Sequence, residues 1–230
     1  MTRVLVLGDS GVGKSSFIHL VCDGHPLNHQ PEWTVGCSVD LKIIGSDKHG
    51  EPCFVEFFDV GCHRNFESSR GIFYKDIDAI ILVYDLSNLK SFANLRKFVA
   101  ELRNYFQENQ NRSSEQRTSS KGSIAGYPVL VVGNKLDLVP NISRLPDVHK
   151  TLGFDSVNVS SIKGTCDLID MFLHELVHPA SRNSLSSDIS GHSSNRRSAT
   201  INAVSFDLPT SMFNMFSSKK SEALLPTTRR

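Results

Sequence analysis

One stretch constrains this chain more than any other: Gly8-Asp9-Ser10-Gly11-Val12-Gly13-Lys14-Ser15. Before it lies a short apolar run, Val4 to Leu7, which reads as a buried strand. After it, Phe17, Ile18, Leu20 and Val21 space out as the buried face of a helix over 16–22. Strand, glycine-rich turn and helix supply the context in which the spacing G-x-x-x-x-G-K-[ST] becomes a phosphate site. Glycines let backbone N–H groups converge on oxygen, and the helix N-terminus adds positive potential. Ser10, Gly11, Val12, Gly13, Lys14, Ser15 and Ser16 are the predicted phosphate-facing residues, with Lys14 on the outer phosphates and the Ser15 hydroxyl on Mg²⁺.

The rest of the chain completes an α/β pattern. Cys37 to Ile44 and Cys53 to Phe58, joined by a polar turn, predict an antiparallel hairpin. It ends in Asp59, placed where a strand tip beside the phosphate loop could direct a carboxylate to Mg²⁺. Residues 64–76 read as an irregular helix. Ala79 to Tyr84 and Val129 to Val132 are near-continuous apolar runs, the mark of central parallel strands covered on both faces. Between them Phe92, Leu95, Phe98, Val99, Leu102 and Phe106 recur at helical spacing, and a polar segment over about 107–126 reads as a solvated insertion. A weak strand near Val157 and an amphipathic helix through Leu176, stopped by Pro179, close the domain. The expected fold is that of a P-loop NTPase over residues 1–179. Its sheet is six-stranded and mainly parallel, with one antiparallel edge strand and helices on both faces.

Composition excludes several alternatives. Net charge is +1, so no nucleic-acid partner is expected, and five scattered cysteines without C-x-x-C spacing fit reduced thiols better than a disulfide frame or zinc site. No apolar run spans a bilayer, Thr2 excludes myristoylation, and the last cysteine, Cys166, is far from the end, so no prenyl anchor is expected. These features predict a cytoplasmic protein with at most weak peripheral membrane contact. Residues 180–230 are rich in Ser, Asn and Arg and read as a disordered tail. An apolar island over 204–216 within it would dock on a partner or an anionic membrane, fold back on the domain, or stay idle.

The phosphate loop does not choose a base; Asn134-Lys135-Leu136-Asp137 does. A carboxylate accepts from both N1–H and the C2 amine of guanine, whereas adenine offers neither donor. Asp137 therefore favours guanine, with Asn134 bracing the loops, the Lys135 stem along the base, and Ser161-Ile162-Lys163 near guanine O6. At this point the chain resembles the Ras superfamily of small GTPases, within it the Rab branch. The resemblance rests on Gly8–Ser15, Thr34, Asp59–Cys62, Asn134–Asp137 and Ser160–Lys163, and on Leu82 to Ser87. The combination of Gly8–Ser16, Trp33–Asp40 and Phe58–Val60 is most similar to the Rab-like 3 group and its plant light-insensitive-period relatives.

The resemblance implies a GTP/GDP switch acting in intracellular trafficking or signalling. Thr34 would close over Mg²⁺ and the γ-phosphate, Asp59 would hold Mg²⁺ through water, and two switch regions, about 24–38 and 59–76, would meet protein effectors and regulators. Two positions depart from the family pattern. Cys62 stands where a glycine amide usually meets the γ-phosphate, unless Gly61 takes over by a one-residue shift. His63 stands where a Gln orients the attacking water. Lys14, Thr34 and His63 are thus the candidate catalytic residues, and slow intrinsic hydrolysis is expected. The aromatic residue that commonly stacks on guanine is also missing; Pro26 and Leu27 stand nearest. The alternative is a pseudo-GTPase: a binding module holding GTP or GDP without significant turnover. An adenine-nucleotide kinase would need a lid and acceptor site that the sequence does not offer.

Overall fold

The structure is a computed structural model, and it describes residues 1–29, 31–46, 51–110, 123–141, 143, 145–164 and 167–178. The middle of the polar insertion, Cys166, Pro179 and the tail with its apolar island lie outside the described residues.

Alternation decides the architecture. In β1 (Thr2–Leu7), Val4 and Val6 point to one side of the sheet, and Leu5 and Leu7 to the other. All four are fully buried, so both faces must be covered. β4 (Ala79–Asp85) and β6 (Tyr127–Asn134) divide in the same way. One face takes α1 (Lys14–Asp23), through Phe17, Ile18 and Val21, and α4 (Asp167–Val177), through Ile169 and Leu173. The opposite face takes α2 (Leu89–Gln110), through Leu95, Phe98 and Leu102, and the short α3 (Val148–Leu152), through Val148.

The strand order is β2 (Cys37–Ser46), β3 (Pro52–Val60), β1, β4, β6, with β7 (Asp155–Asn158) also paired to β6. These six strands are parallel except for the β2–β3 hairpin. The expected sheet is therefore present, helices on both faces included. A seventh, two-residue strand, β5 (Ser123–Ile124), pairs antiparallel with the first residues of β6.

Several elements differ from the sequence reading. α2 runs on to Gln110, because 107–110 contain no breaker and the Asn109 side chain donates to the Tyr105 carbonyl at 2.7 Å. At the other end of the insertion Ile124 is buried in the core. One apolar residue between polar neighbours gives no periodicity, so only tertiary packing defines β5. The weak last strand starts earlier than expected, at Asp155. Residues 64–76 are two 3₁₀ turns, Arg64–Phe66 and Arg70–Tyr74, rather than one helix.

Registers carry the site. Val6 of β1 lies beside Asp59 of β3, which brings that carboxylate to the mouth of the glycine-rich loop. Asp85 lies beside Asn134 at the next strand ends. At the outer edge, β2 keeps Val39, Leu41 and Ile43 exposed while Lys42 turns inward, donating to the Val21 carbonyl and pairing with Asp170 at 3.3 Å.

The second 3₁₀ turn is pinned. Arg70, only 6% exposed, donates through Nε to Glu101 of α2 at 2.8 Å and through a second guanidinium nitrogen to the other carboxylate oxygen. The buried Tyr74 hydroxyl donates to the same carboxylate at 2.6 Å, and Arg70 lies 5.0 Å from the Phe98 ring centroid. Removing one partner of a buried pair strands the other charge. Glu101→Ala should therefore lower unfolding free energy by about 2–4 kcal/mol in urea titrations. A loss below about 1 kcal/mol would show that the turn is held by packing alone.

Candidate functional site

The C-terminal ends of β1, β3, β4 and β6 converge on an open cleft of about 830 Å³. The glycine-rich loop forms its floor. Gly11 (φ 80°) and Gly13 (φ 91°) take left-handed backbone, and a Cβ on Gly13 would lie 2.4 Å from Asn134 Nδ2. Ser10, Gly11, Gly13, Lys14, Ser15 and Ser16 line the cleft, and Val12 is buried behind them. Lys14 is buried and donates to the carbonyls of Gly8 (3.0 Å) and Asp9 (3.2 Å). An ammonium has three donors, so one remains for a ligand oxygen.

Beside Lys14 three oxygens meet. The Ser15 hydroxyl donates to Asp59 Oδ2, and Thr34 Oγ1 lies 3.2 Å from both Ser15 Oγ and Asp59 Oδ2. Asp59 is 1% exposed, and its other oxygen, Oδ1, is buried without a hydrogen-bond partner among the described residues. An unpartnered buried carboxylate oxygen is costly and asks for a cation or an ordered water. Two hydroxyls and one carboxylate at a phosphate loop are hard oxygen donors of the kind Mg²⁺ takes when phosphates and water complete its shell. Among the described residues no group of three or more His, Cys, Asp or Glu side chains could hold a metal unaided.

The base end is built on Asn134. Its amide nitrogen donates to the carbonyls of Val12 (3.1 Å) and Gly13 (3.2 Å). Its oxygen accepts from Lys135 N–H (2.8 Å), Ser161 N–H (3.2 Å) and Ser161 Oγ (2.8 Å). Lys135 takes left-handed backbone (φ 63°), and its ammonium reaches the Gly11 carbonyl at 2.8 Å. Asp137 accepts from Ser160 Oγ, which in turn accepts from Lys163 N–H at 3.2 Å. One Asp137 oxygen is thus placed by the loop that follows β7. Leu27 and Ile162 line the cleft at this end, and Ile162 is 70% exposed. Of the two residues named for the missing aromatic, only Leu27 is among those lining the cleft.

The third wall brings Gly61, Cys62 and His63 against Trp33 and Thr34. Gly61 N–H donates to the Gly36 carbonyl at 2.8 Å, and a Cβ on Gly61 would lie 2.3 Å from the Thr34 carbonyl. Gly61 N–H is thus engaged with the neighbouring segment, and both Gly61 and Cys62 line the cleft. Burial pushes the Cys62 thiol above its ordinary range, against the nearby Lys14 charge, so it faces the cleft uncharged.

One residue of the site carried no sequence-based role. Asp85, at the tip of β4, accepts from the Lys135 ammonium at 2.7 Å and from Ser87 N–H and Oγ at 2.8 and 2.6 Å. An Asp ending an all-apolar strand was its only local signal.

These features define a P-loop nucleotide-binding domain: a phosphate loop, converging magnesium-type oxygens and a braced base pocket at the ends of a parallel sheet. The Ras family profile matches residues 3–151, and the chain belongs to that family of small GTPases. It is 39% identical over 164 residues to Rab-like protein 3 of Xenopus tropicalis, covering 65% of this chain and 67% of the relative. To Rab-like protein 3 of Homo sapiens it is 39% identical over 157 residues, 62% of this chain and 64% of the relative. To the small GTPase-like protein LIP2 of Arabidopsis thaliana it is 37% identical over 150 residues, 59% and 42% of the two chains. The chain thus spans about two thirds of the length of its Rab-like relatives and about two fifths of the plant one.

Asp85 gives the site a pH signature. Burial raises its carboxyl, but the Lys135 and Ser87 bonds outweigh that and hold it below the usual range. A depressed acid contributes stability above its unfolded pKa of about 3.9 and loses it as pH falls through the lower folded value. The stability gap between wild type and Asp85→Asn should stay constant from neutral pH to about pH 5 and close below about pH 4. Urea midpoints across that range measure it; a gap that widens in acid would contradict the assignment.

Proposed function

We propose that this chain is a Mg²⁺-dependent GTP/GDP switch with slow intrinsic hydrolysis, acting through protein effectors in intracellular trafficking or signalling. The single observation that carries the reading is the convergence of the Ser15 and Thr34 hydroxyls on Asp59 Oδ2, with the other oxygen of that buried carboxylate unpartnered among the described residues. Ser15 and Thr34 would hold Mg²⁺ directly and Asp59 through water. The ion, once bound, offsets charge on the β- and γ-phosphates. Backbone amides of 10–16 and the Lys14 ammonium bind the same phosphates, and Asp137 selects guanine.

Hydrolysis transfers the γ-phosphoryl group to water, breaking its bond to the bridging oxygen and yielding GDP and phosphate. The residues that would steady that water are the weak part of the site. A Gln side chain accepts a water proton and donates through its amide at once. His63 instead holds its two ring nitrogens in fixed opposition, with Nδ1 already accepting from Asn65 N–H, and Cys62 puts a side chain where the pattern has none. Turnover is accordingly slow until a helper protein supplies a group. We further propose a cytoplasmic location with at most weak peripheral membrane contact. Among the described residues no helix is long and apolar enough to cross a membrane.

The second reading, a nucleotide-holding module without turnover, is favoured by the commitment of Gly61 N–H to Gly36. Single-turnover hydrolysis on wild type and His63→Gln separates the two. The switch reading expects slow hydrolysis that His63→Gln accelerates by about tenfold or more; two inert proteins that still bind GTP would favour the module. Guanine selection is checked by calorimetry. Asp137→Ala should weaken GDP by about a hundredfold, and unchanged affinity would place the base elsewhere.

A further inference from the structure

The chain's one tryptophan, Trp33, stands immediately before Thr34 and is 77% exposed. It is nonetheless not free. Its ring lies flat against His63, centroid to centroid 5.8 Å at an interplanar angle of 24°. His63 is in turn met edge-on by Phe66 at 6.4 Å, and its Nδ1 accepts from Asn65 N–H at 3.4 Å. An exposed aromatic gains little from burial, so its orientation has to come from the ring it stacks on.

The stack joins neighbours of two groups facing the cleft. Trp33 precedes Thr34, whose hydroxyl points at Ser15 and Asp59, and His63 follows Cys62, which lines the cleft. From inside, the same two segments are tied by Gly61 N–H to the Gly36 carbonyl. Beyond the stack, the second segment soon reaches the Arg70–Glu101–Tyr74 anchor. The portion between Cys62 and Arg70 is therefore held at its far end by α2 and at its near end by Trp33.

We propose that Trp33 is a positioning residue for His63: their stack latches the first switch segment to the second across the phosphate end of the cleft and slows nucleotide release. The inference rests on the nucleotide-switch reading above and adds the contact through which release is regulated. Because the indole lies on the outer rim, a partner that displaces it frees both segments at once. Trp33 also reports on the latch, since an imidazole stacked on the indole quenches its emission.

The test uses the full chain, loaded with GDP·Mg²⁺ or with a non-hydrolysable GTP analogue and Mg²⁺. Nucleotide content is measured separately, so a protein that holds no nucleotide would sink the switch reading rather than the latch. Release of a fluorescent GDP analogue is followed in wild type, Trp33→Ala, His63→Ala, the double variant and Trp33→Phe. Trp33→Ala and His63→Ala should each speed release by about 2- to 10-fold, the double variant no further, and Trp33→Phe should stay near wild type. Under selective tryptophan excitation His63→Ala should be brighter than wild type. Rates that multiply in the double variant, unchanged release, or an emission indifferent to His63 would each overturn the latch. Both side chains sit at the rim, so loss of fold is not expected; thermal melts of each variant verify this before the rates are compared.

Discussion

The site depends on one primary amide. Asn134 uses both ends of its side chain, donating to two carbonyls of the phosphate loop and accepting from the loop that follows β7. An amide can do this because donor and acceptor lie on the same rigid plane, a geometry no carboxylate or hydroxyl reproduces. The bonds are buried, where leaving either end unpaired is expensive. Phosphate loop and base pocket are therefore placed relative to each other by a single residue. Gly13 has no side chain because Asn134 Nδ2 occupies the space a Cβ would need.

Around that brace the site has a rigid and a looser half. Lys135 adds a second tie across the same gap, to Gly11 and Asp85, and Asn94 of α2 reaches Asp9 at 2.7 Å. Among the described residues, the segments carrying Thr34 and His63 are tied to one another by Gly61 N–H on the Gly36 carbonyl and by the stack of Trp33 on His63. A division of this kind, with fixed groups at one end and segments that lean on each other at the other, is what a conformational switch uses.

Motifs of fixed local spacing were legible in the sequence. The glycine-rich loop, the Asn134–Asp137 run and the apolar strands are decided by neighbours within a few residues, so their placement followed from pattern and register. The pairs formed at long range were not. Nothing near Asp85 announces Lys135, nothing near Glu101 announces Arg70, and Trp33 and His63 meet only because the hairpin brings their segments together. The bond from Gly61 N–H to Gly36 is likewise invisible near Gly61, because Gly36 belongs to the other segment. Ile124 was missed for the opposite reason: a strand of two residues has no period to read.

Asn134 and Val12 are 122 positions apart in the chain, and Ser161 lies a further 27 beyond Asn134. Synthesis runs from the N-terminus, so the phosphate loop leaves the ribosome well before β6 and the loop after β7, and its brace cannot form until both have followed. Parallel pairings of such separation are slow to close. A nascent chain therefore carries an unfinished pocket until those later segments emerge. A ligand that binds only the completed pocket would shift the finished protein toward the native state by mass action.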